Sequence, residues 1–201
     1  MLFRSSISGK SFHDTNANGV RDVGEPGLSN WVIKIFGPVN DSAVTDGNGD
    51  YTFANIPIGN YIITEVQQIG WVQTAPPPPH FYSINISSGQ AITDKDFGNF
   101  QLGSIGGVKY IDLNGNGSKD VGEGGLPGWK IKLTGTKNDS VLSDVNGNYV
   151  FTNLSPGSYV LSEVLLSNWV QTQPGGAGTY SVSLVSGQNV TGKNFGNYEY
   201  N

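Results

Sequence analysis

Apolar and polar residues alternate along this chain in short runs, and almost every run ends at a cluster of Gly, Asn, Asp or Pro. The clearest run is Trp129-Lys130-Ile131-Lys132-Leu133-Thr134, in which Trp129, Ile131 and Leu133 fall on one side and the residues between them on the other. A period of two is the signature of a strand with one face on a core. Further strands are predicted at Ile7–Phe12, Trp31–Phe36, Tyr51–Phe53, Tyr61–Glu65, around Tyr82–Ile86 and around Asp94–Phe100. On the Tyr61 strand, Tyr61, Ile63 and Glu65 share a face; Tyr159, Leu161 and Glu163 do the same later in the chain. Asp46-Gly47-Asn48-Gly49-Asp50 reads as a tight hairpin turn, as does Asp144-Val145-Asn146-Gly147-Asn148, because Asn-Gly between alternating runs favours such turns. Val32 and Phe36 face outward only in the first half.

The pattern repeats. Shifting the sequence by 98 residues, as from Asp14 to Asp112, superposes it on itself without a gap, and about 44 of the 94 positions from 7 to 100 are then identical. Trp31 falls on Trp129, Tyr61 on Tyr159, Trp71 on Trp169 and Phe97 on Phe195. Two homologous domains follow, over residues 1–101 and 102–201, joined by a short linker near Gln101–Ser104. About seven short strands per copy, separated by turn signals, predict an all-β protein of two tandem β-sandwiches. The last residues fall where a third copy would begin, so the chain reads equally as a natural pair or as a piece of a longer array. Pro76–Pro79, absent from the second copy, reads as a stiff polyproline surface loop.

Composition narrows the function. Gly is abundant, at 29 of 201 residues, and cysteine is absent, which excludes disulfides and thiolate sites. The net charge of -5 and the lack of a basic run argue against nucleic acid and against a membrane-surface patch. No apolar run is long enough to insert into a membrane, and Met1–Ser5 lacks the apolar core of a signal peptide. His13 and His80, the two histidines, do not recur between copies, and no nucleophile–base set does, so an enzyme is not expected.

The strongest chemistry lies in two twelve-residue loops. The first presents Asp14, Asn16, Asn18, Val20, Asp22 and Glu25 at positions 1, 3, 5, 7, 9 and 12; the second presents Asp112, Asn114, Asn116, Ser118, Asp120 and Glu123. This is the spacing of an EF-hand calcium loop, with Gly19 and Gly117 at the sharp turn. Side-chain oxygens, the carbonyl of Val20 or Ser118, and a terminal Glu make a hard-oxygen set, so at least one Ca2+ per domain is expected. Glu25 is followed by Pro26-Gly27 and Glu123 by Gly124-Gly125, neither of which starts a helix. The loops are therefore expected to act as structural staples between strands, without the helix pair of a sensor.

Ile7–Leu28 with its acidic loop, Asp46–Phe53, the Tyr61-x-x-x-Glu65 strand and the closing Asp96-Phe97-Gly98-Asn99 resemble the B domains of serine-aspartate repeat (SdrD_B-like) bacterial cell-surface proteins, within the wider Cna B-type group. The resemblance covers nearly the whole of both copies. It implies an Ig-like, transthyretin-like sandwich and calcium-stabilised modules of extracellular, adhesin-type proteins. Many Cna B-type domains also hold an internal Lys–Asn isopeptide bond promoted by a Glu. Glu65 and Glu163 match that Glu, and Asn99 and Asn197 are the candidate acceptors. Lys10 and Lys109 are the candidate lysines, but they are out of register by one residue, which points them to opposite faces. Both copies therefore cannot make the same bond from that strand. The preferred reading is that Glu65 and Glu163 are buried, hydrogen-bonded strand residues, a reading that loss of one ammonia would reverse.

The expected function is a calcium-stabilised stalk or spacer of an extracellular surface protein, its signal and anchor lying outside this chain. Its partners would be neighbouring repeats. A filament or adhesin subunit that contacts other subunits or a host or surface ligand is the first alternative. A carbohydrate-binding module using Trp71 and Trp169 is the second.

Overall fold

A computed structural model describes residues 5–200, and the chain divides into two compact units between Gln101 and Leu102. In the first unit the strands are β1 (Ser5–His13), β2 (Val32–Phe36), β3 (Asp41–Val44), β4 (Asp50–Ile56), β5 (Gly59–Glu65), β6 (Trp71–Ala75), β7 (Phe81–Ile86), β8 (Ala91–Ile92) and β9 (Phe97–Gln101). The second unit repeats them as β10 (Gly103–Ile111), β11 (Lys130–Gly135), β12 (Asp139–Leu142), β13 (Asn148–Leu154), β14 (Gly157–Glu163), β15 (Trp169–Gln173), β16 (Thr179–Leu184), β17 (Asn189–Val190) and β18 (Phe195–Glu199). Among the described residues there is no helix, and none that could cross a membrane.

Each unit is a sandwich. One sheet runs β4-β1-β9-β6 with β8 beside β1; the other runs β3-β2-β5-β7. The second unit has the same order with the corresponding strands. The expected alternation holds: Trp31, Ile33 and Ile35 are buried, as are Trp129, Ile131 and Leu133. Tyr51, Phe53, Tyr61, Ile63 and Phe97 complete the first core, and their counterparts complete the second. Nine strands per unit exceed the expected seven or so. β3 and β12 are edge strands with no buried residue, and β8 and β17 have two residues each, so neither pair has the alternating burial that marks a strand in sequence. The linker is shorter than expected: Gln101 ends β9, Gly103 opens β10, and Leu102 alone lies between them.

β1 pairs with β4, β8 and β9 along its length. Its first half pairs antiparallel with β4, and its end pairs parallel with β9 through Ser11↔Phe97 and His13↔Asn99. The first and last strands of the unit thus lie side by side, and the acidic loop leaves directly from the end of β1. The proline run departs from expectation. The His80 N–H donates to the Pro77 carbonyl at 3.0 Å, so Pro76–Pro79 closes a turn where an extended polyproline helix would have no internal hydrogen bonds.

Candidate functional site

Side chains two apart on a strand share a face. Ile7 is fully buried in the core, so Ser11 points the same way and is buried as well. In the second unit Ile105 and Lys109 stand in these places, and Lys109 is completely buried. A buried lysine must be paired or lose its charge, and Lys109 is surrounded by partners. Its Nζ forms an ion pair with Glu163 Oε2 at 3.0 Å, donates to Asn197 Oδ1, and lies 4.3 Å from the centre of the Trp129 ring. Asn197 Nδ2 donates to the other carboxylate oxygen, Glu163 Oε1, at 2.7 Å. Burial pulls the Lys109 ammonium down to about 8, against the opposing pull of Glu163. An amine, a carboxamide and a carboxyl in contact with both are the components of an amide-forming site. In such a site the amine would be the nucleophile, the Asn197 carbonyl carbon the acceptor, and Glu163 the group placed to carry a proton between the two nitrogens.

The first unit lacks the amine. Ser11 Oγ donates to Glu65 Oε1 at 2.7 Å, and Asn99 Nδ2 donates to Glu65 Oε2 at 2.6 Å. Asn99 Oδ1, the counterpart of the oxygen that Lys109 reaches, is buried without a hydrogen-bond donor. Burial pushes the Glu65 carboxyl up to about 7, while the bonds from Ser11 and Asn99 act in the other direction. Lys10 is not brought to Glu65. One residue out of register, it faces the other side of β1, where its Nζ pairs with Asp50 Oδ1 at 2.7 Å and donates to the Asn48 carbonyl. The structure therefore assembles Lys109, Glu163 and Asn197, leaves Lys10 outside, and puts Ser11 in its stead. Ser11 escaped the sequence reading although the 98-residue offset sets it opposite Lys109; following the offset strictly, instead of seeking the nearest lysine, would have found it.

The acidic loops are wound by their own ligand candidates. Asp14 Oδ1 accepts the Asn18 N–H at 3.0 Å and Asp14 Oδ2 the Gly19 N–H at 2.7 Å. Gly19 has φ +77 and Gly117 φ +76, a conformation that favours glycine. Glu25 closes the loop by accepting the N–H of Thr15 at 2.7 Å and of Asp22 at 3.1 Å. Asn16 and Asn18 both turn their Nδ2 to Asp22 Oδ2, each at 2.8 Å. The second loop repeats this: Asp112 accepts from Asn116 and Gly117, Glu123 from Leu113 and Asp120, and Asn114 and Asn116 converge on Asp120. Val20 and Ser118 donate their N–H groups to Asn18 Oδ1 and Asn116 Oδ1.

This donor set fits a hard cation. Asp14 and Glu25 are buried carboxylates, and two Asn amides meet Asp22 at one point, where a half-turn of each amide presents oxygen in place of nitrogen. Among the described residues no three Asp, Glu, His or Cys side chains group closely enough to form a metal site, so the neutral Asn and carbonyl oxygens are needed to complete one. That need suits calcium better than zinc.

Asp46 serves its turn: Oδ1 accepts the N–H of Asn48 and Asp50, and these bonds hold its carboxyl below the usual range. Asp144 caps the equivalent turn through Asn146 and Asn148. Trp71 packs edge-on against Trp31 with ring centres 5.6 Å apart, and Trp169 against Trp129 at 5.2 Å, so both tryptophans extend the core aromatic clusters.

The SdrD B-like domain profile matches residues 5–79 and 103–181. Colossin-A of Dictyostelium discoideum is 32% identical over 179 residues, 83% of this chain and 2% of that protein. Serine-aspartate repeat-containing protein E of Staphylococcus aureus is 28% identical over 163 residues, 74% of this chain and 14% of that protein. Among solved structures, the Bacillus anthracis TIE protein superposes with a TM-score of 0.43 and 17% identity, covering 98% of this chain and 34% of its own.

Proposed function

From the premise that this chain belongs to the SdrD B-like domain family, we propose that it is a non-enzymatic structural spacer of an extracellular cell-surface protein, stiffened by calcium in both units and by an internal amide in the second. The observation that carries the reading is the buried contact of Lys109, Glu163 and Asn197 on the first, fifth and last long strands of one sandwich.

The step is self-contained. Neutral Lys109 Nζ attacks the Asn197 side-chain carbonyl carbon. Glu163 accepts a proton from Nζ and delivers it to Nδ2, which leaves as ammonia. The product is a secondary amide between β10 and β18. Those strands begin and end the second unit, so tension along the chain passes through the amide and bypasses the residues between. Calcium at Asp14, Asn16, Asn18, Val20, Asp22 and Glu25, and at Asp112, Asn114, Asn116, Ser118, Asp120 and Glu123, offsets the mutual repulsion of three carboxylates per loop and ties each loop to its sandwich.

Pulling single molecules by their ends in calcium tests the spacer reading. The first unit should unfold and release its length, about 300 Å for some 90 extended residues, while the second should release none. Release from both units would contradict the cross-link, and an unfolding force of the first unit that chelation leaves unchanged would contradict the calcium staple.

A further inference from the structure

We infer that the cross-link site and the acidic loop of the second unit are one coupled device, in which closing the Lys109–Asn197 amide tightens the loop's hold on calcium. This rests on the two readings above. The two residues that would be joined also anchor the two ends of the loop through their backbones. The Asn197 carbonyl accepts the N–H of Asp112, the first loop residue, at 2.8 Å. The Lys109 carbonyl accepts the N–H of Leu126, just after the loop, at 2.9 Å. Between them Ile111 donates to the Gly124 carbonyl at 3.0 Å. Lys109 itself donates to Gly147 at 2.7 Å, and the two backbones approach so closely that a Cβ on Gly147 would strike the Lys109 carbonyl.

The anchors hang on a short ladder. β10 meets β18 through Lys109↔Phe195, Tyr110↔Gly196 and Ile111↔Asn197 alone. If that ladder frays, the bond from Asp112 to the Asn197 carbonyl opens and the loop's first end is freed, with the buried carboxylate of Asp112, while its far end stays on β10. An amide across the ladder removes the fraying, so less order has to be imposed when the cation binds. The first unit is the internal control. Asp14 donates to the Asn99 carbonyl and Leu28 to the Ser11 carbonyl, both at 2.8 Å, with no amine to join the anchors. Coupling of this kind between sites amounts to about 5–150-fold in affinity.

Amide hydrogen exchange of the whole chain, followed peptide by peptide across a calcium titration, separates the two loops. Wild type is compared with Glu163→Gln, which keeps the hydrogen-bonding shape and removes the proton carrier; Lys109→Gln, which removes the nucleophile, serves if the first variant loses its fold. Intact mass of each sample reports whether ammonia has been lost. The expected result is that the calcium midpoint for protection at Asp112 and Leu126 moves at least about fivefold higher in either variant, while that at Asp14 and Leu28 stays. Equal midpoints in a cross-linked wild type and an unlinked variant would overturn the coupling and leave both underlying readings standing. A wild type at its full sequence mass would overturn the cross-link, and protection indifferent to calcium in both loops would overturn the calcium site, and the coupling falls with either.

Discussion

The two units share a strand order, a core and a calcium-type loop, yet one buried position divides them. Ser11 and Lys109 occupy the same place on the first strand, with the same Asn on the neighbouring strand and the same Glu on the facing sheet. In the first unit the Glu–Asn pair is satisfied by a hydroxyl and Asn99 Oδ1 is left over; in the second the amine fills that place and brings nucleophile, acceptor and proton carrier together. The proposed covalent chemistry therefore turns on one side chain, while the scaffold that positions it is kept in both copies.

Removing the amine should have the largest effect. Lys109→Ala would abolish the proposed cross-link, which would close a loop of about 90 residues, and the chain-entropy estimate for such a closure is about 4–5 kcal/mol. The melting transition of the second unit should fall steeply in calorimetry while the first is unmoved; equal shifts in both would erase the distinction between the units. The converse substitution sharpens it. Ser11→Lys places an amine beside Glu65 and the free Asn99 Oδ1, so this variant should lose a second ammonia, read by intact mass, and its first unit should gain stability of the same order.

Proton linkage separates the units next. The Glu65 pKa is raised to about 7 from 4.5, so the folded first unit binds more protons than the unfolded chain between those values. Its stability should therefore fall as pH rises from about 4.5 through 7, by at most about 3 kcal/mol, and Glu65→Gln should flatten the profile. A profile in wild type as flat as in that variant would remove the strained carboxyl from the account. Calcium should act on both units alike and more weakly. At twenty times the dissociation constant, linkage adds about 1.8 kcal/mol per unit, so chelation should lower both melting transitions and open both loops to protease. The smallest effect is expected from Asp46→Ala, which removes a turn cap worth about 1 kcal/mol and should leave calcium binding unchanged.

Much of the fold was legible because alternation and repetition both report on burial. Trp129, Ile131 and Leu133 announced a half-buried strand, and the 98-residue offset carried that strand to Trp31. The edge strands β3 and β12 were not legible, since each only half-buries one residue, Ala43 or Val141, and takes its place from pairing with β2 or β11. The acidic loops were visible residue by residue because ligand spacing is local. The amide site was only half visible. Its members lie 34 to 88 residues apart in the chain; the parallel pairing of β10 with β18 brings Lys109 to Asn197, and the facing sheet brings Glu163 to both. The one-residue offset of Lys10 correctly signalled opposite faces, but periodicity alone could not say which of the two lysines faced Glu.

Intact mass of the purified chain under denaturing conditions, with peptide mapping, tests the central claim most directly. The account predicts a mass one ammonia below that of the sequence and a single branched peptide joining Lys109 to Asn197. The full sequence mass, or a branch at Lys10, would contradict it.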